Sequence, residues 1–281
     1  MSVKAPPLHI ALLSGSVAGI CVDLSLYPLD TVKTRLQSSA GFLKAGGFRG
    51  IFSGVGAAAL GSAPTAGLFF CAYESTKQFG TSFGFVGSFQ EPVTHLFAAS
   101  IGEVTACLVR VPVEVVKQRA QASRGTSASI LKTVLRDEGA RGLYRGYFST
   151  VVREIPFSAI QFPLWEFLKS SWGRRQGCPV EPWQSSLCGA IAGGVAAGLT
   201  TPLDVAKTRI ILAEKGSVTA RGNIPSVLKD IARTSGVRGL FAGLVPRTLW
   251  VSIGGAIFLG IYEKVKISLV KIETSLKSRN L

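Results

Sequence analysis

One short pattern of residues occurs three times, at nearly even spacing, in this chain of 281 residues. In each copy a proline is followed by an acid after two positions, a lysine after five and an arginine after seven. The three copies are Pro28–Arg35, Pro112–Arg119 and Pro202–Arg209. Repetition at a fixed period indicates an array of similar structural units, which bury their apolar surfaces against one another.

Two further patterns follow each copy in the same order. The first is Gly-x-Arg-Gly-x-aromatic-x-Gly, which begins at Gly47, Gly139 and Gly236. The second is aromatic-Glu-x-x-Lys, at Tyr73–Lys77, Trp165–Lys169 and Tyr262–Lys266. Three kinds of motif in three registers exclude chance. We therefore predict three repeats, at residues 1–84, 85–177 and 178–281.

The overall charge suggests nucleic acid, but the apolar content argues against it. Lys and Arg number 31 against 16 Asp and Glu, a net charge of +15, which is typical of nucleic-acid-binding domains. Yet 47% of the residues are hydrophobic and only 17% are charged, against about 25% charged in soluble domains. This composition excludes disorder. Five scattered cysteines and two histidines favour neither a disulfide framework nor a metal site.

Long stretches free of Lys and Arg, such as 5–32 and 78–109, could each cross a hydrocarbon core about 30 Å thick as a helix. The alternation typical of a membrane β-barrel is absent from the sequence. We predict an all-α membrane protein with six transmembrane helices, at 8–37, 51–79, 93–121, 146–172, 184–213 and 242–271.

The loops after the first, third and fifth predicted spans share one side of the membrane and hold twelve basic residues, whereas the loops on the other side hold two. The positive-inside rule places that side in the negatively charged compartment. We find no cleavable signal and no Arg/Ser-rich transit peptide at the N-terminus, and expect internal targeting information.

These motifs resemble the signature of the mitochondrial carrier family over essentially the whole chain. The resemblance implies a six-helix bundle with pseudo-threefold symmetry around one central cavity. It also implies short matrix-side helices near 39–49, 126–138 and 224–235. A monomer in the mitochondrial inner membrane, with both termini facing the intermembrane space, is the expected form.

Acid and base three residues apart share one helix face, so around a threefold axis each acid can meet a lysine of another repeat. The signature ring, as we name it, would close the matrix end of the cavity: Asp30, Lys33, Glu114, Lys117, Asp204 and Lys207. The distal ring would close the cytoplasmic end: Glu74, Lys77, Glu166, Lys169, Glu263 and Lys266. Opening one ring at a time gives alternating access. The alternative is that these pairs only fix helix packing.

Charges outside both rings indicate the ligand, because charge inside a membrane is costly and usually functional. Asp23 and Glu103 precede ring acids by seven and eleven residues, close to whole helical turns, so both should face the cavity. The resemblance places further substrate contacts at Gly61, Ser62, Arg153, Glu154, Trp250 and Val251. Three acids and one base predict a ligand with more positive than negative groups. Alternatively, Asp23 or Glu103 pairs with Arg110 or Arg153.

An amino-acid head group would suit the pair on the fourth span, with Arg153 on its carboxylate and Glu154 on its ammonium. Asp23 or Glu103 would then offset a further cation. Family members that carry S-adenosylmethionine resemble this chain at Arg153–Ser158 and Gln161–Glu166. The resemblance implies import of S-adenosylmethionine in exchange for S-adenosylhomocysteine. Another cationic amino acid or another adenosine-containing cofactor is the alternative.

Several glycines have two interpretations. Those before the even-numbered spans would, by resemblance, bind cardiolipin phosphates, or would simply form turns: Gly47, Gly54, Gly139, Gly146, Gly236 and Gly243. Gly61 should leave room in the cavity, and the pairs Gly15/Gly19 and Gly189/Gly193 should let helices approach. The positions equivalent to Glu138 hold Gly46 in the first repeat and Ser235 in the third. The short helices of these repeats should therefore be linked differently to the spans that precede them.

Other functional classes find little support. A membrane enzyme would need a catalytic constellation, and the sequence offers no Ser/His/Asp set, metal-ligand cluster or phosphate loop. We therefore expect a transporter without a resident cofactor or metal, and no nucleic-acid partner. The role of Arg110 stays open, and Arg247 is predicted to be structural or lipid-facing.

Overall fold

The computed structural model describes residues 8–82, 91–123, 125–178, 180–214, 216–217, 219–221 and 223–279, and in these ranges all regular structure is helical. The helices are α1 (Leu8–Ser25), α2 (Tyr27–Gln37), α3 (Val55–Ser82), α4 (Glu91–Ser123), α5 (Ser127–Asp137), α6 (Ala140–Leu143), α7 (Tyr147–Gln176), α8 (Pro182–Leu199), α9 (Thr201–Leu212), α10 (Ile224–Leu240) and α11 (Leu244–Arg279). A 3₁₀ turn covers Thr219–Arg221.

Six long helical units pack side by side in a closed ring. The order around the ring is α1, α3, α4, α7, α8 and α11, which returns to α1. Helices α2 and α9 continue α1 and α8 after short breaks. Within this ring the described helices begin and end within a few residues of the six predicted spans, apart from the end of α11.

The proline of the repeated pattern acts differently in the three repeats. Pro28 and Pro202 lie in the first turns of α2 and α9, where proline's missing N–H leaves no helical bond unmade. At the break before Pro202, α8 and α9 are bent by 64°. Pro112, in contrast, lies inside the uninterrupted helix α4. Two of the three repeats are therefore broken beside the proline.

Apolar length alone identifies fewer spans than the repeats predict. Among the described residues, Val55–Tyr73 and Leu244–Val270 are long and apolar enough to cross a membrane, and the bent pair Trp183–Leu199 plus Thr201–Leu212 adds a third candidate. The other long helices carry charged residues from the motifs, such as Glu114 and Lys117 on α4. Those charges lower their mean hydropathy.

Two of the three predicted short helices exist, as α5 and α10, but the prediction of a helix at 39–49 is wrong. That segment forms successive turns, and Gly41, Gly46 and Gly47 have φ angles of 79°, 124° and 56°. The buried guanidinium of Arg35 also binds carbonyl oxygens there, with 2.6 Å from Nη1 to the oxygen of Gly47. Positive φ angles and diverted carbonyl groups both oppose a regular helix.

The arginine at the end of the signature motif has a different partner in each repeat, in agreement with the expected difference in linkage. In the second repeat Glu138 forms ion pairs with Arg119 at 2.8 Å and Arg145 at 2.5 Å. The equivalent arginine of the first repeat, Arg35, binds backbone carbonyl groups instead. In the third repeat Arg209 Nε lies 3.4 Å from the carbonyl oxygen of Gln37.

Gly54 tests the close packing at the start of α3. Its φ is +89°, and an added Cβ would lie 2.9 Å from both the Lys117 carbonyl oxygen and the Tyr27 hydroxyl. Gly41 has a similar φ of +79° but open space around it. We expect Gly54→Ala to lower the unfolding temperature in detergent clearly more than Gly41→Ala, because both share a strain of about 1–2 kcal/mol and only one adds a clash. Equal losses would contradict this packing.

Candidate functional site

The helix ring encloses a cavity of about 650 Å³, within the range of about 300–1,000 Å³ that is typical of small-molecule sites. Helices α1, α3, α4, α7 and α11 supply its walls. The eight residues that the sequence predicted as substrate contacts all line it: Asp23, Gly61, Ser62, Glu103, Arg153, Glu154, Trp250 and Val251. The six residues of the signature ring line the same cavity.

Three ion pairs form the floor of this cavity. Lys33 Nζ lies 2.8 Å from Asp204 Oδ2, and Lys117 Nζ lies 2.8 Å from Asp30 Oδ2. The third pair joins Lys207 Nζ to Glu114 Oε2 at 2.7 Å. Each pair connects two repeats, so α2, α4 and α9 form a closed triangle. The signature ring is fully paired in this structure.

Two buried glutamines brace the ring. Gln37 Nε2 donates to Asp204 Oδ2 at 2.9 Å, and Gln121 Nε2 donates to Asp30 Oδ2 at 2.9 Å. Each follows a ring lysine by four residues, a spacing that could have identified them from the sequence. The third repeat has Ile211 at that position, and Glu114 accepts a bond of 2.8 Å from Gln118 of its own helix. The braces are thus unequal among the repeats.

Asp204 lies near more positive charge than the other ring acids. Besides Lys33, Arg247 Nη1 lies 3.7 Å and Arg153 Nε 3.9 Å from its carboxylate. Arg247 is buried and donates to the carbonyl and hydroxyl oxygens of Thr200, at 2.9 Å each. It therefore joins α11 to the break between α8 and α9 and does not face lipid.

A chain of opposite charges runs along the wall formed by α4 and α7. Arg110 pairs with Glu103, and its Nη1 lies 3.7 Å from Glu154 Oε1. Glu154 pairs in turn with Arg153. The guanidinium of Arg153 also lies over the Phe157 ring, 5.8 Å from its centroid, within cation–π reach. Arg110, whose role the sequence left open, thus belongs to the cavity.

Asp23 stands apart from this chain of charges. Its Oδ2 accepts a hydrogen bond of 2.7 Å from the Ser62 hydroxyl. Within the described part of the chain, no Lys or Arg nitrogen lies at ion-pair distance from it. A carboxylate in this setting remains available for a cationic ligand. The alternative that Asp23 serves only to pair with Arg110 or Arg153 does not fit these contacts.

The glycines of the cavity differ from their predicted roles. An added Cβ at Gly15 or Gly19 would meet nothing within 4 Å, so these two leave cavity space and do not bring helices together. At Gly61 an added Cβ would lie 2.5 Å from both methyl groups of Val113. Gly61 therefore brings α3 against α4, and the prediction that it leaves room is wrong. Gly193 does permit close approach, with Val251 Cγ1 at 2.9 Å from an added Cβ.

The distal ring is described only in part. Lys169 Nζ lies 2.7 Å from Glu166 Oε1 on its own helix and 3.6 Å from the centroid of the Trp165 ring. The side chains of the other four predicted members lie outside the described residues: Glu74, Lys77, Glu263 and Lys266. This ring stays a prediction.

The six glycines assigned to lipid by resemblance all have positive φ, from 56° to 89°. This conformation alone accounts for glycine at these positions. Gly146 directly precedes α7 as its N-terminal cap, where free N–H groups attract anions. Their cardiolipin role also stays a prediction.

Comparison with known proteins gives the family. The family model described as "Mitochondrial carrier protein" matches three successive segments, 4–83, 88–176 and 179–273. The "Mitochondrial S-adenosylmethionine carrier protein" of Danio rerio is 59% identical over 92% of this chain and 97% of its own length. The protein of the same name from Mus musculus is 56% identical over 96% of this chain and 98% of its length.

A further relative comes from Drosophila melanogaster and is named "S-adenosylmethionine mitochondrial carrier protein homolog". It is 55% identical over 90% of each chain. The triple match of the family model and these identities agree with the helix ring, the cavity and its signature ring. This chain belongs to the mitochondrial carrier family.

Proposed function

We propose that this protein imports S-adenosylmethionine into the mitochondrial matrix in exchange for S-adenosylhomocysteine. Relatives that carry the first ligand in their names are 55–59% identical to this chain over at least nine tenths of its length. The observation that supports this substrate best is the Asp23 carboxylate, which lines the cavity without a cationic partner among the described residues. S-adenosylmethionine brings a sulfonium cation that such a carboxylate would attract.

The charge balance of the cavity agrees with this ligand. Above the signature ring lie three carboxylates, Asp23, Glu103 and Glu154. The cations there are Arg110, Arg153 and Arg247, and the last two lie beside Asp204 of the ring. Asp23 has no Lys or Arg at ion-pair distance among the described residues, so a ligand with sulfonium and ammonium groups and one carboxylate would bring the positive charge that this carboxylate lacks. Nucleotides and dicarboxylates would instead want a cavity dominated by Arg and Lys.

The proposed ligand has three parts, and the cavity offers a wall to each. Asp23 on α1 would face the sulfonium. The α4/α7 wall, with its alternating acids and arginines, would hold the amino-acid head group. Trp250 and Phe157, which also line the cavity, would pack on the adenine. S-adenosylhomocysteine shares the last two parts but lacks the sulfonium charge, so Asp23 would discriminate between the two.

In the membrane, we propose six spans in the inner mitochondrial membrane with both termini facing the intermembrane space. The signature ring would then lie at the matrix end, on the side of the basic loops. Its three closed pairs correspond to a cavity shut toward the matrix. The distal ring would pair when the signature ring opens, which yields alternating access.

We also propose that the chain works as a monomer and leaves its ligand chemically unchanged, without a resident cofactor or metal. Cardiolipin would bind beside the six positive-φ glycines, of which Gly54, Gly146 and Gly243 directly precede α3, α7 and α11. The N–H groups at a helix start and the basic loops favour a phosphate headgroup there.

Purified protein in liposomes tests the proposed substrate. Vesicles loaded with S-adenosylhomocysteine should take up external labelled S-adenosylmethionine faster than vesicles loaded with basic amino acids or nucleotides. Exchange of nucleotides alone would refute the substrate and leave the family membership standing. Exchange of basic amino acids alone would favour a carrier of cationic amino acids.

Asp23→Asn tests the acid that faces the sulfonium. A hydrogen bond or contact to a charged group contributes about 1.5–3 kcal/mol, so we expect at least a roughly tenfold loss of S-adenosylmethionine uptake. Uptake of S-adenosylhomocysteine should fall less, because it lacks the sulfonium charge. Asp230→Asn makes the same change at an exposed position on α10 and should affect neither ligand. An equal loss of uptake for both ligands in Asp23→Asn would contradict this role of Asp23.

The signature ring is tested by exchanging charges between partners. Asp30→Lys or Lys117→Asp alone leaves buried like charges side by side and should abolish exchange. The double variant restores an opposite pair and should recover measurable exchange. Asp30→Lys with Lys207→Asp changes the same charges between residues that are not partners in the structure, and should recover none. Equal activity of the two double variants would contradict the observed pairing.

A further inference from the structure

Two arginines on the α4/α7 wall could bind the carboxylate of an amino-acid ligand, and their surroundings differ. The Arg110 side chain is 36% exposed, whereas that of Arg153 is 14% exposed. Both line the cavity. The sequence prediction gave the ligand carboxylate to Arg153, which belongs to the motif on the fourth span. The contacts favour the other arginine.

Arg153 is occupied by the protein itself. Its Nη2 donates to Glu154, and its Nε faces Asp204 of the signature ring at 3.9 Å. The Nε is buried without a hydrogen-bond partner, and the guanidinium lies over the Phe157 ring. Because a planar guanidinium binds a carboxylate through two adjacent N–H groups, a ligand would have to displace these contacts. Arg153 therefore supports the floor of the cavity.

Arg110 offers a free edge to the cavity. Within the described residues, its one hydrogen bond is donated by Nη1, to Glu103. Glu154 approaches the same Nη1 at 3.7 Å. The remaining donors, on Nε and Nη2, have no protein partner there and are not buried. They form one side of the planar fork, the geometry that accepts a carboxylate with two parallel bonds.

The two acids beside Arg110 complete a site for a zwitterion. Glu103 is 28% exposed and Glu154 is 16% exposed, so part of each carboxylate faces the cavity. An ammonium group bonded to the same carbon as the ligand carboxylate would lie between them. The alternation acid, base, acid thus matches the two charges of an α-amino acid.

We propose that Arg110 is the specificity-determining residue that binds the α-carboxylate of the transported ligand, with Glu103 and Glu154 binding its ammonium. This inference rests on the proposed function for the identity of the ligand, and adds that the ligand is selected as an α-amino acid. A cationic ligand without the carboxylate leaves the free edge of Arg110 unmatched. The wild-type protein should therefore prefer S-adenosylmethionine to its decarboxylated analogue, which keeps the sulfonium and the amine.

Uptake of these two ligands by proteoliposomes tests the assignment, with wild type compared with Arg110→Gln, Arg110→Lys and Arg153→Gln. Arg110→Gln should lower S-adenosylmethionine uptake roughly tenfold or more, as expected for loss of a charged contact. Uptake of the decarboxylated analogue should stay or rise, because the cavity becomes more negative. Arg110→Lys keeps the charge but not the fork and should lose less preference. Arg153→Gln should slow both ligands by similar factors, because Arg153 acts on the floor.

Equal loss of both ligands in Arg110→Gln, with the selective loss found in Arg153→Gln, would overturn the proposal. It would reduce Arg110 to an ion pair between α4 and α7. If Arg110→Gln does not fold, as its thermal unfolding would show, Arg110→Lys carries the test, and an unchanged ligand preference there contradicts it. Failure of the proposed function would give a different result, because the wild-type protein would then take up no S-adenosylmethionine. Lysine and cadaverine, which differ by the same carboxylate, would replace the two ligands if basic amino acids are exchanged.

Discussion

Buried charge that has to find an opposite charge in another repeat is the constraint on which this structure depends. A lysine or a carboxylate held between helices at the floor of the cavity needs a partner of opposite charge, and each signature motif provides one lysine and one acid. The partners come from different repeats: Lys33 with Asp204, Lys117 with Asp30 and Lys207 with Glu114. The three repeats must therefore surround one axis. Their shared interior becomes the cavity, and the pairs become its floor.

The chain departs from its threefold symmetry where a ligand would bind. Glutamines brace two of the ring pairs from a neighbouring helix, while Ile211 takes that position in the third repeat. Asp204 has two extra arginines near it, Arg153 and Arg247. The acids above the floor follow no threefold pattern either. A ligand without threefold symmetry needs such differences, because each of its groups has to meet a different wall.

Much of this architecture could be predicted from the sequence, because repeated motifs and helical spacing fix which residues face inward. The spacing of Asp23 and Glu103 from ring acids, close to whole turns, placed both toward the interior, and the structure has them in the cavity. Spacing along one helix does not determine which residues of other helices it contacts, however. Neither the choice of ring partner nor the crowding of Gly61 against Val113 on another helix follows from a single repeat. The turns at 39–49 are accompanied by hydrogen bonds from the Arg35 side chain to backbone carbonyl groups of this region. Such bonds cannot be predicted from the periodicity of the sequence.

The position of S-adenosylmethionine in an experimentally determined complex would test the central claim most directly. This claim is that each charged group of the ligand binds to a different wall of one cavity. It predicts the sulfonium within about 4–6 Å of the Asp23 carboxylate, the range in which opposite charges attract strongly. It also predicts the ligand carboxylate on the free edge of Arg110. A ligand found with its carboxylate on Arg153, or with its sulfonium remote from Asp23, would contradict the account.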